Sequence, residues 1–198
     1  MKTLYLMRHG QTELNVQKIV QGQCDSPLTA AGEAQAHEAA NKLVQHDVRP
    51  DRIAASPLGR AYRTCCIVRD DLCEGLAVSL PDVETCRDLE ERNYGQFERG
   101  PMADVPADVW NPEEDLVPYG GEGSVGLRAR MIRGIRGLLD SEGVETLLAV
   151  SHGSAVLQFY LAAKRPGEVE PRCTLPNCCV LKFSYDEASG IFTLLEVM

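Results

Sequence analysis

Apolar and polar positions fall into blocks along this chain, and the blocks change period. Residues 4–7 are an unbroken apolar run, the pattern of a strand buried on both faces. The run stops abruptly at Arg8-His9-Gly10. After a loop over residues 17–27, Thr29 is placed to cap a helix whose apolar positions Ala36, Ala39, Ala40, Leu43 and Val44 recur at helical spacing. Pro50 ends that unit. Residues 53–55 read as a second short buried strand. Ser56-Pro57 is expected to cap a second helix, with Pro at its first position and an inner face of Leu58, Ala61, Tyr62, Cys65 and Val68 or Leu72. Arg60 and Arg63 lie near its start. Residues 78–83 read as a third strand interrupted by Pro81.

Residues 88–119 break the rhythm. They are rich in Asp, Glu, Pro and Gly, with Tyr94, Phe97, Val105, Val109, Trp110 and Leu116 as apolar anchors. This stretch reads as a lid-like insertion, centred on about 94–120, with a short helix near 105–110. A helix then runs to about Leu139. A strong strand over 146–150 stops at Ser151-His152-Gly153, and a further helix runs from Ser154 to Ala163. Two closing strands, 178–185 and 191–197, flank a turn. The alternation predicts an α/β fold: a three-layer sandwich with a mostly parallel central sheet flanked by helices, in a single domain over 1–198.

Composition narrows the partners. The 198 residues are 44% hydrophobic and 25% charged, enough to bury a substantial core, and carry a formal net charge of −9. That balance disfavours nucleic acid and anionic membrane surfaces as partners. The first residues do not read as a signal peptide, and no run approaches the roughly 20 apolar residues of a membrane span. The eight cysteines include no Cys-x-x-Cys pair, and several sit in apolar patterns. They read as buried thiols in a reducing cytoplasm rather than a disulfide framework.

The chemistry gathers at two strand ends. Met7-Arg8-His9-Gly10 and Val150-Ser151-His152-Gly153 share one logic: an apolar strand, then histidine, then glycine. In an open α/β sheet such ends face the ligand crevice. Gly10 allows a sharp turn and close approach to a ligand. The other two histidines, His37 and His46, fall on the first helix and are expected in solvent. No third ligand at convincing spacing completes a metal site, and nearby arginines would repel a dication. Cations around an imidazole suit an anion instead. Arg8 and Arg60 can hold phosphate oxygens through guanidinium forks, and a neutral histidine is a competent nucleophile toward phosphorus.

At this point the residues resemble a family. Arg8-His9-Gly10-Gln11-Thr12 with Asn15 is similar to the signature of the histidine phosphatase superfamily, the phosphoglycerate-mutase-like group. Five further blocks follow in order. They are Asp25-Ser26-Pro27-Leu28-Thr29 with Gly32, Ser56-Pro57-Leu58-Gly59-Arg60-Ala61, and Leu89-Glu90-Glu91 with Gly95, Phe97 and Glu98. Gly120-Gly121-Glu122 with Arg130, and Val150-Ser151-His152-Gly153, complete the set. The resemblance implies that His9 accepts the phosphoryl group and that Arg8, Arg60 and His152 clamp its oxygens. It implies that Glu91 protonates the leaving oxygen and then activates water. The Leu-x-Glu spacing favours Glu91 over its neighbour Glu90, which sequence barely separates from it. Gly10, Gln11, Asn15, Gln21, Gly22 and Gly153 are expected to complete the phosphate and substrate site, with no metal and no cofactor.

The implied activity is a metal-independent phosphatase acting on a small phosphorylated metabolite through a phosphohistidine on His9. A phosphoglycerate mutase and a catalytically weak phospho-ligand binding module stay open beside it. A homodimer is compatible with the sequence, which does not specify one. Departures from the family pattern at Gln23, Arg99 and Gly123 fall in loops expected to set substrate fit. Two competing motifs fail. Gly121-x-Gly123-x-x-Gly126 follows an acidic loop rather than a strand, so it does not read as a dinucleotide fingerprint. Cys86 and Arg92 have a cysteine-phosphatase spacing, but three carboxylates lie between them.

Overall fold

A computed structural model describes residues 1–163 and 175–198. Cys173 lies outside the described residues, and the other seven cysteines are free thiols. Six strands form one mixed sheet in the order β3-β2-β4-β1-β5-β6. They are β1 (Lys2–Arg8), β2 (Arg52–Ala55), β3 (Glu84–Thr85), β4 (Thr146–Ser151), β5 (Val180–Asp186) and β6 (Ile191–Val197). β1, β2, β3 and β4 are mutually parallel, and β5 and β6 are antiparallel additions at one edge.

The continuous apolar runs are explained by burial on both faces. Along β1, Leu4 and Leu6 point to one side and Tyr5 and Met7 to the other. Along β4, Leu147 and Ala149 oppose Leu148 and Val150 in the same way. The first set packs under helices α4 (Ser124–Leu139) and α5 (Gly153–Ala163), through Met131, Ile135 and Phe159. The second packs under α2 (Ala30–Gln45) and α3 (Gly59–Leu76), through Ala40, Leu43, Val68 and Leu72. The result is a three-layer sandwich. A four-residue helix, α1 (Glu13–Val16), follows β1 and is closed by a reciprocal Thr12–Asn15 capping box. No helix among the described residues is long and apolar enough to cross a membrane.

Several local expectations are corrected. The third strand is β3, not residues 78–83. Pro81 has no N–H for a ladder, and the Leu80 and Pro81 carbonyls accept instead from Arg69 on α3. Helix α3 starts at Gly59, and its preceding residue Leu58 makes no side-chain cap. Asp25 supplies the cap from 34 residues away, accepting the Gly59 and Arg60 amides. Tyr62 is 40% exposed, because the buried stripe runs instead through Ala61, Thr64, Cys65, Val68 and Leu72. Arg63 also faces solvent, paired with Glu33. Thr29 caps α2 as its position predicts, accepting the Gly32 amide at 3.0 Å.

Residues 86–123 form an ordered chain of five short 3-10 turns. One of them, Ala107–Trp110, stands where a short helix is expected. This segment has its own apolar cluster, in which Tyr94, Val105, Val109 and Leu116 pack with Val20.

Candidate active site

Register brings the two histidines together. β1 and β4 are parallel neighbours with Met7 opposite Val150 and Arg8 opposite Ser151. The next residue on one strand is His9, and His152 follows on the other. Their ring centroids lie 5.1 Å apart, 62° from coplanar. Both rings are buried. His37 is exposed on α2, and His46 is exposed just past its C-terminal end.

His9 Nδ1 lies 2.6 Å from the Gly10 carbonyl, which can only accept, so Nδ1 carries the proton. The lone pair is thereby left on Nε2, where Arg60 Nε donates to it at 3.3 Å. Burial, then the Arg60 and Arg8 charges, hold the His9 pKa well below the ordinary histidine value. His152 is shifted in the same direction, by burial first and by Arg60 next. Its Nε2 lies 2.8 Å from the Ser56 hydroxyl. Ser56 thus serves the site as well as the approach to α3, where its hydroxyl accepts the Leu58 amide at 3.3 Å.

Arg60 is almost fully buried at the start of α3. Its two terminal nitrogens donate to the Gly22 and Cys24 carbonyls, each at 2.7 Å, and it pairs with Asp25 at 3.2 Å. The loop carrying those carbonyls is itself fixed by Glu98. That carboxylate accepts the amides of Gln23 (2.9 Å), Cys24 (3.2 Å) and Tyr94 (3.1 Å). Gly22, at φ +53°, has no room for a Cβ, which would fall 2.1 Å from the Glu98 carboxylate. A chain of contacts thus runs from Glu98 through the 22–24 loop to Arg60 and on to His9.

Arg8 donates one terminal nitrogen to the Leu175 carbonyl. Its Nε is buried with no acceptor among the described residues, and so is His152 Nδ1 without a partner. Gly153 leaves space for this guanidinium, since a Cβ there would sit 3.3 Å from Arg8 Nε.

Glu91 is 8% exposed, at the N-terminal end of α5. One oxygen accepts from Arg92 N (2.8 Å) and Ala155 N (2.9 Å), and the other from Ser154 N (3.1 Å). The Ser154 and Ala155 amides belong to the free first turn of α5, which suits an anion. Arg130 sets the direction of the segment by donating to the carbonyls of Asp88, Glu90 and Glu91. Glu91 reaches the cavity, and Glu90 does not.

The cavity above these groups measures about 310 Å³. Of the residues singled out in the sequence, Arg8, His9, Asn15, Gln21, Gly22, Arg60, Glu91 and Gly153 line it. His152 lies buried beside His9. Gly10 and Gln11 do not line it. Gly10 is needed for close packing onto α2, since a Cβ would fall 2.4 Å from the Gly32 carbonyl, and not for approach to a ligand. Gln11 is turned away by its bonds to Thr29 and Gln35. Phe97 also points elsewhere, packing on Tyr119. The cavity wall adds Val20, Tyr94, Met102, Trp110, Ser154, Leu157 and Leu175. Of these only Tyr94 and Trp110 carried a sequence signal, as anchors of the irregular segment. Among the described residues, no group of three or more His, Cys, Asp or Glu is placed to hold a metal ion.

The sequence and the fold are similar to those of known proteins. The chain is 32% identical over 199 residues to the Yersinia enterocolitica protein "Probable phosphoglycerate mutase GpmB", covering 95% of this chain and 87% of that protein. Among solved structures, Bacillus stearothermophilus YhfR superposes with a TM-score of 0.82 at 26% identity, over 98% of this chain and 95% of that one. The mycobacterial glucosyl-3-phosphoglycerate phosphatase complexed with VO3 superposes with a TM-score of 0.78 at 26% identity, over 98% and 97%. The profile of the histidine phosphatase superfamily (branch 1) matches residues 4–197, nearly the full length, and the chain belongs to that superfamily.

Proposed function

We propose that this protein is a cytoplasmic phosphatase that hydrolyses a small phosphomonoester through a phosphohistidine on His9. The observation that carries the reading is the pairing of a buried neutral imidazole with an unpartnered guanidinium N–H. His9 Nε2 offers a lone pair, and Arg8 Nε lacks an acceptor beside it. A buried donor without a partner costs stability, and a phosphate oxygen satisfies it.

In this reading the substrate phosphate draws the Arg60 guanidinium toward its own oxygens, freeing His9 Nε2. Nε2 attacks phosphorus, the bond to the ester oxygen breaks, and Glu91 delivers a proton to the departing alcohol. Arg8, Arg60 and His152 hold the charge that develops on the three equatorial oxygens, the largest demand of phosphoryl transfer. Water then gives its proton to Glu91 and attacks the phosphohistidine. The N–P bond breaks, inorganic phosphate leaves, and Glu91 is again protonated. The groups involved are all supplied by the chain.

The name of the 32%-identical relative favours a second reading, phosphoglycerate mutase, in which the phosphoryl group returns to the organic acid instead of passing to water. The test is phosphate release from an aryl phosphate and a panel of sugar and glycerate phosphates, with EDTA present, for wild type and His9→Ala. The expected result is EDTA-resistant release that disappears in the variant. Isomerised phosphoglycerate with little phosphate release would move the assignment to the mutase. Release that survives in His9→Ala would sink the phosphohistidine route.

A further inference from the structure

We infer that the outer half of the cavity is a subsite for an uncharged, apolar leaving group, so that the preferred substrates are phosphate monoesters of neutral alcohols with an extended hydrocarbon or ring face. This inference rests on the phosphomonoesterase reading of the same cavity.

The cavity is chemically divided. Its phosphate end holds Arg8, Arg60 and His9. Its apolar lining comes from Val20, Tyr94, Met102, Trp110 and Leu157, drawn from three separate parts of the chain, beside the uncharged polar Asn15, Gln21 and Ser154. Trp110 is the informative member. Its neighbours Val109 and Leu116 are fully buried, yet Trp110 is 41% exposed and lines the opening. Its ring lies 5.7 Å from that of Tyr94 at 47°, so the two rings make an angled apolar corner. The polar end of Tyr94 is paired with the Ser154 hydroxyl at 2.7 Å, so it enters the cavity already partnered. An exposed aromatic at the mouth of a cavity is surface that a ligand can bury.

Charge points the same way. Among the described residues, Arg8 and Arg60 are the only cations lining the cavity, and both stand at the phosphate end. A leaving group with its own carboxylate would lose water against Trp110, Met102 and Leu157, where no cation stands among the described lining residues. The acidic residues Asp104, Asp108 and Asp115 are exposed and do not line the cavity. At about 310 Å³ the space lies at the small end of ligand pockets, enough for a phosphate and a short chain or ring.

The test uses n-alkyl phosphates from ethyl to hexyl, which share one leaving-group chemistry and differ only in apolar length. Each methylene that enters the wall should raise kcat/KM roughly three- to fourfold until the space is filled. Hexyl phosphate should exceed 3-phosphoglycerate by at least about tenfold, and Trp110→Ala should flatten the length dependence. Binding is read separately with alkylphosphonates, which cannot be hydrolysed. Trp110 is the chain's single tryptophan, so its fluorescence reports the wall directly. Hexylphosphonate should change that emission and bind wild type at least about tenfold more tightly than ethylphosphonate. Esters turned over with a flat length dependence, or with phosphoglycerate preferred, would overturn the apolar subsite and leave the phosphatase standing. No turnover, with hexylphosphonate still the tighter ligand, would remove the phosphatase and leave the subsite. Phosphonates that bind equally at every length, without touching Trp110 emission, would also overturn the subsite.

Discussion

The floor and the wall of this cavity are built by different physics. The floor stands on the central sheet. His9 and His152 continue two adjacent parallel strands, and Arg60 opens a helix packed on that sheet. Their positions follow from register and from two apolar layers. The wall takes Tyr94, Met102 and Trp110 from residues 86–123, where 3-10 turns alternate with loops around a small cluster of their own. It is held by side chains gripping backbone, as Arg130 and Glu98 do. A sheet end fixes a few atoms tightly and so suits chemistry that does not vary. A wall tied by separate side-chain bonds can change its lining without disturbing the sheet, and so suits substrate selection.

Glu91 blurs this division, because it lies in the wall segment but is anchored by amides of α5, which rises from the floor. If it carries the proton, Glu91→Gln keeps the shape and loses transfer. Turnover of alkyl phosphates should fall about 10²- to 10⁴-fold in steady-state kinetics, with phosphohistidine formation from an activated aryl ester far less affected. A uniform loss of both would make Glu91 a wall residue only.

The floor alone should answer to acid. His9 and His152 both titrate well below the unfolded histidine value near 6.5. Below that pH the unfolded chain takes up protons that the native site refuses, so stability is full above about 6.5 and falls as pH drops toward the folded values. Each histidine contributes a slope of up to about 1.4 kcal/mol per pH unit. Urea unfolding of wild type and His152→Gln between pH 7 and 5 checks this, with a shallower slope expected in the variant. Parallel slopes would mean that His152 is protonated in the folded protein.

A smaller effect tests whether the wall positions the floor. Glu98 holds the loop whose carbonyls orient Arg60, so it is a positioning residue. Glu98→Ala should lower kcat by about tenfold with a lesser change in KM, on the order of one charge-assisted hydrogen bond to the loop. Glu98→Asp should recover part of it. Loss of stability with unchanged kcat would make the contact merely structural.

Legibility divides along the same line. His9 and His152 could be paired from sequence because an unbroken apolar run announces a buried parallel strand, and such strands end at one edge. Arg60 could be placed because the helix after β2 begins there. The Leu-x-Glu spacing favours Glu91 but barely separates it from Glu90, because the distinction is made by the Ser154 and Ala155 amides that hold the Glu91 carboxylate from more than 60 residues away. Val20, Met102, Leu157 and Leu175 were invisible for a simpler reason: an apolar residue facing a cavity has the same sequence signature as one facing the core. Gln11 misled because it belongs to a block of site residues, while its side chain is claimed by the cap of α2.

The borrowed cap of α3 couples two parts of the backbone in time. Because Asp25 holds the Gly59 and Arg60 amides while Arg60 holds the Gly22 and Cys24 carbonyls, neither the loop nor the first helical turn can fray alone. In native-state hydrogen exchange the amides of Gln23, Cys24, Gly59 and Arg60 should open together, with one shared free energy that is lowered in common by Asp25→Ala. The arginine that faces His9 is thus part of a single cooperative opening unit, and an anion that binds it should slow exchange at all four positions.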